Sequence, residues 1–172
     1  MPLRKFIRTK YPLPASLEGR CTPSVFTKWI HSKAGSLIEL DRKRGKLYAL
    51  NVTETVYEEE IYKAVLKSGP RDPYTGDLFA WEQIGKWDTT HKHPDGYERQ
   101  FSLMPTVDHV TPDKLEFEIC TFEVNTCKSY LGPEEFIQFC NKVAKNHSLA
   151  PEARRRRSNR KRLRTAAKSK GA

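Results

Sequence analysis

Four polar residues between positions 108 and 128 have side chains suited to breaking a phosphodiester bond. They are Asp108, His109, Asn125 and Lys128. Histidine is the side chain whose unperturbed pKa lies nearest to neutral pH, which suits a general base that takes a proton from water. Carboxylate and amide oxygens are the ligands that hard cations such as Mg²⁺ prefer in proteins. The group therefore combines the residue types that metal-assisted hydrolysis needs.

The elements that position these residues follow from the apolar pattern around them. Asp108 and His109 are adjacent in a short run with apolar flanks, and in a strand their side chains would point to opposite faces. Apolar residues at positions 115, 117 and 119 alternate with glutamates, which is typical of a half-buried strand. A helix-like run then carries Asn125 and Lys128. The local prediction is strand, loop, strand, helix.

This arrangement resembles the HNH family of endonucleases. The ββα-metal (His-Me finger) core of that family starts with an Asp-His pair and ends with an Asn on a helix, followed closely by Lys. The resemblance implies that His109 is the general base and that Asp108 and Asn125 hold one Mg²⁺ or Mn²⁺ ion. It implies that Lys128 binds phosphate or balances transition-state charge. The core would span about residues 101–145, within a similarity that covers about residues 24–142.

The sequence departs from the family pattern at two places. HNH proteins usually have a middle Asn before the second strand, whereas residues 112–116 contain none, so Asp113 or a backbone carbonyl is expected to orient the imidazole. Many also have zinc knuckles built from CxxC pairs, which the four isolated cysteines do not form. No zinc is therefore expected. In the tight turn at residues 71–77, hydrogen bonds of Asp72 and Thr75 are expected in its place.

A structural interpretation of the same residues stays open. Asp108 could cap a turn, His109 could be an ordinary strand residue and Asn125 could cap a helix. The histidines and aspartates of residues 88–95 lie in a polar, turn-rich stretch, which predicts a solvated loop rather than a metal cluster. The alternative function is therefore a nucleic-acid-binding protein that keeps the HNH fold without cleaving.

The positive charge of the chain indicates a polyanionic partner. The net charge is +10, and ten of the 31 lysines and arginines lie in residues 152–172, where Glu152 is the only acid. Because each phosphate that is neutralised releases counterions, nucleic acid is the expected partner, with duplex DNA favoured and RNA left open. A shorter cluster near residue 43 could instead bind helix-terminal carbonyls. The predicted nucleic-acid contacts are Arg42, Lys43, Arg44, Arg154, Arg155, Arg156, Arg157, Arg160, Lys161 and Arg162.

The remaining pattern predicts an α+β fold, with N-terminal helices packed around a ββα-metal hairpin and helix. A first helix is expected from Pro23 to near Gly45, because apolar residues recur there at three-, four- and seven-residue steps. A second helix is expected to begin at Thr53 or Thr55 and to stop at residues 68–70, and a third follows Gly132. The residues assigned to the core beneath the hairpin are Leu78, Phe79, Trp81, Ile84 and Trp87.

The predicted organisation has three parts: an N-terminal arm without regular structure at residues 1–20, an HNH-like nuclease domain at 21–148 and a disordered basic tail at 149–172. No run approaches the roughly 18 apolar residues of a membrane-spanning helix. The early basic residues also have no apolar segment behind them. With four scattered cysteines, these features predict a cytoplasmic protein with reduced thiols and no membrane partner, whose oligomeric state is open.

Overall fold

The structure is a computed structural model that describes residues 10–87, 94–111 and 113–148. These residues form a mixture of helices and strands, which confirms the α+β class. Short 3-10 helices occur at Ala15–Leu17, Trp81–Gln83 and Tyr97–Phe101. The two strands, which pair antiparallel, are β1 (Pro105–His109) and β2 (Phe117–Thr121). The α-helices are α1 (Pro23–Lys43), α2 (Leu47–Leu50), α3 (Glu54–Lys67), α4 (Phe122–Lys128) and α5 (Pro133–His147).

Helix α1 begins and ends where its sequence signals predict. The Thr22 hydroxyl accepts a hydrogen bond from the Val25 amide at 3.3 Å, and Pro23 occupies the first turn, where no amide hydrogen is needed. The helix ends just before Gly45, whose φ of +70° favours glycine. Gly35 lies where α3 approaches, since a Cβ there would be 3.2 Å from Oε1 of Glu54. Helix α3 also has its predicted bounds.

The core lies between α1, α3 and the sheet and is rich in aromatic rings. Phe26, Tyr57 and Ile61 are fully buried, and the rings of Trp29 and Trp81 meet edge to face with centroids 5.3 Å apart. The ring of Tyr57 packs against Phe117 of β2 at 5.6 Å. This last contact joins α3 to the hairpin.

Two leucines that the pattern assigned to the buried side are exposed. Leu78, predicted in the core, is 47% exposed, and Leu66 on α3 is 57% exposed. Phe79, Trp81 and Ile84 are buried as predicted. Leu78 forms an isolated bridge with Arg71 across the turn at residues 71–77, so backbone pairing rather than side-chain burial fixes its place.

The hairpin and the helix after it follow the predicted order of strand, loop, strand, helix. Asp108 lies opposite Glu118, and His109 lies opposite Phe117. Helix α4 starts directly after β2, because the Thr121 hydroxyl accepts from the Val124 amide at 3.3 Å. The turn at residues 71–77 holds this junction.

The turn itself is organised by a buried carboxylate. Asp72 Oδ1 accepts from the amides of Tyr74 and Thr75 at 2.7 and 3.0 Å, and the Thr75 hydroxyl accepts from the Asp77 amide at 3.3 Å. The other oxygen of Asp72 accepts from the Thr121 amide at 2.6 Å. The predicted hydrogen bonds of Asp72 and Thr75 are therefore present, and Asp72 also ties the turn to the end of β2.

The interpretation of residues 1–20 as an arm without regular structure is wrong for its described part. Ala15–Leu17 form a 3-10 helix, and Tyr11 and Leu17 are buried. The Tyr11 hydroxyl donates to Glu58 Oε2 at 2.8 Å, and His31 contacts the other oxygen of Glu58. Burial raises the pKa of Glu58, but the hydrogen bonds from Tyr11 and His31 outweigh this effect and hold the pKa below its ordinary value. Residues 1–9 lie outside the described residues.

The described residues divide into two compact units between Tyr130 and Leu131, whereas the sequence placed the end of the domain at residue 148. In the second unit, α5 carries Phe136, Ile137, Phe139, Cys140 and Val143, which the pattern predicts to bury one face. Phe136 is buried, but the other four are exposed, so this prediction is wrong for them. The basic tail and residues 88–93, with His91 and His93, lie outside the described residues.

All four cysteines are free thiols, as predicted. Cys120 is fully buried and Cys21 is half-buried, which agrees with a packing role for these two. Cys127 and Cys140 are exposed, so a packing role is wrong for them. Across the ranges that the structure describes, no helix combines the length and the apolar composition needed to cross a lipid bilayer.

Candidate active site

His109, at the end of β1, is bound by a carboxylate from α1. Its Nε2 lies 2.9 Å from Oδ2 of Asp41, although 68 residues separate the two along the chain. Asp41 is 1% exposed, and the side chain of His109 is 10% exposed. The ring of His109 also packs against Phe117 with centroids 4.9 Å apart. The ring packing therefore holds the plane of the imidazole, and Asp41 is its carboxylate partner.

Two tyrosine hydroxyls support the same carboxylate oxygen. Tyr57 donates to Asp41 Oδ2 at 2.8 Å and Tyr48 donates at 3.2 Å, and the Tyr48 hydroxyl also lies 3.3 Å from His109 Nε2. Burial and the neighbouring Asp41 raise the pKa of both tyrosines. Both hydroxyls therefore stay protonated and act as donors. Asp41 Oδ1 is buried and has no hydrogen-bond partner among the described residues.

The contact to Asp41 selects one tautomer of His109. An ionised carboxylate only accepts hydrogen bonds, so the proton of the neutral imidazole resides on Nε2. The lone pair is then on Nδ1, which is the atom able to take a proton from water. An imidazole held in this way by a carboxylate is an arrangement in which a histidine can act as a general base.

On the other side of β1, Asp108 forms part of an ion cluster. Its Oδ1 accepts from the backbone amide of His109 at 2.8 Å, and its Oδ2 accepts from Lys128 Nζ at 2.7 Å. The same ammonium donates to the His109 carbonyl at 3.3 Å and lies 3.6 Å from Oε1 of Glu118. Lys128 is 2% exposed. One buried cation therefore lies between two carboxylates that face each other across the hairpin.

Tyr74 adds a donor to this ion cluster, because its hydroxyl donates to Glu118. Burial and the nearby Glu118 raise the pKa of Tyr74, so that it keeps its proton. The sequence predicts that Lys128 contacts a phosphate, whereas in this conformation its ammonium faces protein oxygens inside the fold. The structure thus brings Asp108, His109 and Lys128 together, with Lys128 as the direct partner of Asp108.

Asn125 lies one helical turn before Lys128 on α4. Positions three apart on a helix are neighbours on one face, so Asn125 shares the side of α4 from which Lys128 reaches Asp108. Its side-chain amide is half-buried, and no described residue hydrogen-bonds to it. Among the described residues there is no group of three His, Cys, Asp or Glu side chains placed to hold a metal. In this part of the described chain, Asp108, Glu118 and Asn125 carry carboxylate and amide oxygens, the type of ligand that Mg²⁺ prefers.

Sequence reasoning missed the residues that hold His109. Asp113, which it offered as the orienter of His109, instead pairs with Lys46 at 2.7 Å and is largely exposed, so that prediction is wrong. The orienter is Asp41. A signal was present, because Asp41 continues the buried positions of α1 at Ile30, Ala34 and Ile38 by a further three residues. An acid on an apolar stripe is seldom buried without a partner.

The cationic residues at the C-terminal end of α1 have different surroundings. Arg42 donates to the carbonyls of Ala49 and Val52 at 3.1 and 3.2 Å, so its guanidinium binds the segment that follows rather than the carbonyls of α1. Lys43 pairs with Glu39 at 2.7 Å on the exposed face of the helix. Arg44 is exposed at the C-terminal end of α1. Nucleic-acid contact by these residues stays a prediction, and the predicted contacts at residues 154–162 lie outside the described residues.

Comparison of the chain with protein-family models, with curated proteins and with solved structures finds no match. The arguments for its chemistry therefore rest on the geometry of its own residues.

Proposed function

We propose that this protein is a metal-dependent endonuclease of the HNH type that hydrolyses phosphodiester bonds in DNA, with His109 as its general base. The observation that carries the proposal is the bond between His109 Nε2 and a buried carboxylate, 2.9 Å long, on a strand where Asp108 immediately precedes the histidine. A buried carboxylate fixes the tautomer of the imidazole and stabilises the imidazolium that forms when the base takes a proton.

The base would act through Nδ1. That nitrogen takes a proton from a water molecule as the water attacks phosphorus in line with the leaving oxygen. In the imidazolium that forms, the proton stays on Nε2 and is donated in a hydrogen bond to Asp41. The negative charge of Asp41 stabilises the imidazolium. Tyr57 and Tyr48 hold the carboxylate in place, so little reorganisation is needed when the charge appears. A positioned general base of this kind contributes about 10²–10⁴-fold to rate.

The residues around Asp108 fit a hard divalent cation by their chemistry. Asp108 with Asn125 would hold it, and Glu118, opposite Asp108 on the hairpin, is a further oxygen donor. Mg²⁺ or Mn²⁺ bound there supplies positive charge to the phosphate oxygens and the leaving group. Because Lys128 Nζ lies 2.7 Å from Asp108 Oδ2, the surroundings of this carboxylate stabilise a positive charge. Lys128 therefore competes with any cation for Oδ2 of Asp108.

Nicking of supercoiled plasmid tests the proposal. Purified protein is incubated with plasmid and Mg²⁺ or Mn²⁺, beside an EDTA control, the His109→Ala variant and the His31→Ala variant. His31 is the matched control, because it is a histidine on α1 whose partner is Glu58 rather than Asp41. We expect nicking that needs the metal, is lost in His109→Ala and persists in His31→Ala. Nicking that survives His109→Ala would overturn the assignment of the base.

One observation favours a second candidate, a nucleic-acid-binding protein that does not cleave. Lys128 is buried and satisfies Asp108, so the ion cluster is complete without a metal. Under that function, plasmid is bound in a gel-shift assay but is not nicked under any metal condition. Binding would then fall with rising salt, because phosphate contacts release counterions.

A further inference from the structure

A cavity of about 650 Å³ lies beside α1, and its lining contains none of the residues proposed for catalysis. The residues that matter to its chemistry are Lys28, Trp29, Ser32 and Lys33 from α1, with Trp87 and Phe122. Its volume lies within the roughly 300–1,000 Å³ of pockets that bind small molecules. A double helix is too wide to enter a space of this size, whereas one nucleotide fits.

The polar groups of this cavity are hydrogen-bond donors. Lys28 and Lys33 bring ammonium groups and Ser32 a hydroxyl, and no described lining residue is acidic. The charged groups of the described lining are therefore all cationic, which favours an anionic ligand.

Lys33 is the best placed of these donors. Its ammonium donates to the Thr106 hydroxyl at 2.9 Å, and no other hydrogen bond to it is formed by the described residues. Burial lowers the pKa of Lys33, because the charged form loses hydration. An ammonium has three hydrogens, so two remain for a ligand. An anionic oxygen in the cavity would restore the charge compensation that burial removes.

Aromatic surface forms the other part of the wall. Trp87 and Phe122 are half-buried, and their ring centroids lie 5.1 Å apart. Trp29 is anchored from behind by Phe26 and Trp81. Partly exposed rings next to cations are the combination that binds single-stranded nucleic acid, because bases stack on the rings while phosphates pair with the lysines.

One lining residue, Lys33, connects the cavity to the strand that carries Asp108. Thr106, which binds Lys33, and Asp108 lie two residues apart on β1 and so face the same side of the strand, about 7 Å from each other. That distance is about one nucleotide step along an extended single strand. If one phosphate of a nucleic-acid strand lies near Asp108, the neighbouring nucleotide would therefore lie near Lys33.

We propose that this cavity binds one unstacked nucleotide of a nucleic-acid strand, with its base among Trp29, Trp87 and Phe122 and its phosphate on Lys28 and Lys33. The inference rests on the proposed function for the identity of the polymer. It adds that the substrate is recognised with at least one nucleotide out of the duplex, as in a single-stranded, frayed or flipped region. Duplex DNA without such a region would bind through its backbone alone.

Tryptophan fluorescence reports on this cavity, because Trp29 and Trp87 belong to its lining. The full chain, in EDTA to prevent cleavage, is titrated with a 5′-phosphorylated thymidine dinucleotide. Lys28→Met, Lys33→Met and Trp87→Phe are compared with Lys63→Met, an exposed lysine on α3 that pairs with Glu60. Lys28→Met tests the idea without touching a buried group, in case Lys33→Met fails to fold.

We expect saturable quenching in the wild type and in Lys63→Met. Affinity should fall about fivefold in each cavity lysine variant, and most of the quenching should disappear in Trp87→Phe. Absence of quenching, or equal affinities in Lys28→Met and Lys63→Met, would overturn the inference. Equal displacement by inorganic phosphate alone would overturn the nucleotide assignment and leave an anion site. Plasmid nicking is measured separately in the same variants and in His109→Ala. If His109→Ala abolishes nicking while the cavity variants bind the dinucleotide like the wild type, the nucleotide site is refuted. If the cavity variants weaken dinucleotide binding while His109→Ala nicks like the wild type, the proposed general base is refuted.

Discussion

Asp41→Asn is the most informative single substitution, because it removes a charge and keeps the shape of the side chain. Oδ2 of Asp41 receives three contacts, from His109 at 2.9 Å, Tyr57 at 2.8 Å and Tyr48 at 3.2 Å. An asparagine carbonyl can still accept from the tyrosines. It can no longer stabilise an imidazolium by charge, so the change acts mainly on the catalytic step.

The size of the effect has a lower and an upper bound. A hydrogen bond to a charged group contributes roughly 1–2 kcal/mol more than one between neutral groups. Since about 1.4 kcal/mol corresponds to a tenfold change in rate, loss of the charge alone predicts about a tenfold fall in kcat. If the amide nitrogen turns toward the ring, Nε2 becomes the acceptor and the proton moves to Nδ1, which removes the base. In Ser-His-Asp triads the corresponding exchange lowers kcat by about 10⁴-fold.

Single-turnover nicking of plasmid at saturating protein measures this step without the binding contribution. The matched control is Asp113→Asn. Asp113 lies in the loop after His109, and its exposed carboxylate pairs with Lys46. We expect a loss of between about 10-fold and 10⁴-fold in Asp41→Asn, unchanged DNA affinity and wild-type rates in Asp113→Asn. Equal rates in Asp41→Asn and the wild type would refute the orienting role of Asp41. A loss confined to Asp113→Asn would restore the sequence-based interpretation.

Three further outcomes are expected. Lys128→Met should lower the free energy of unfolding in urea by about 3–5 kcal/mol, because two facing carboxylates lose their buried cation. Mn²⁺ should then raise the Tm of Lys128→Met more than it raises the Tm of the wild type. An equal rise in both proteins would contradict the idea that Lys128 and a metal ion occupy the same position. Tyr57→Phe should cost about 1–2 kcal/mol by urea unfolding, since Asp41 loses a buried donor, whereas Tyr62→Phe, whose hydroxyl is exposed, should cost less. The lowered pKa of Glu58 means that its contribution to stability is complete above the unfolded-state pKa and is lost as pH falls through the folded-state pKa. Urea unfolding of Glu58→Gln should therefore differ from the wild type at pH 7 and converge with it in acid.

The elements of this fold were predictable where their signals are local. The α1 start follows from a threonine cap and a proline, and the hairpin follows from period-two alternation with a capped helix behind it. The pairing of Asp41 with His109 was not predictable in this way, because it joins residues 68 positions apart through packing of α1 on the sheet. Local charge around residues 41–46 instead grouped Asp41 with the surface cations that follow it. Burial, which the apolar period of α1 encodes, was the better guide.

The ion cluster gives a second example of the same limit. Asp108, Asn125 and Lys128 were predicted to form one group near the hairpin, and the structure brings Lys128 to Asp108 at 2.7 Å, whereas a shared ion between Asp108 and Asn125 stays a prediction. The sequence could not indicate that this lysine would be buried, because burial of an ammonium depends on two carboxylates meeting across the strands. Glu118 was read as the solvent side of an alternating strand. Its cross-strand position opposite Asp108 makes it a member of the cluster.

Helix α1 therefore contacts residues of both proposed sites and is not only a support for the hairpin. Lys33 binds Thr106 near the start of β1, and Asp41 binds His109 at its end. Eight residues of helix span about 12 Å and three residues of strand about 10 Å, so the helix follows the strand in the same direction over nearly equal lengths. One element thus carries both the carboxylate of the base and the cation of the cavity. Because helix and strand match in length, a sliding movement of α1 would disturb both contacts together, and the hairpin with α4 alone would lack the group that fixes its imidazole.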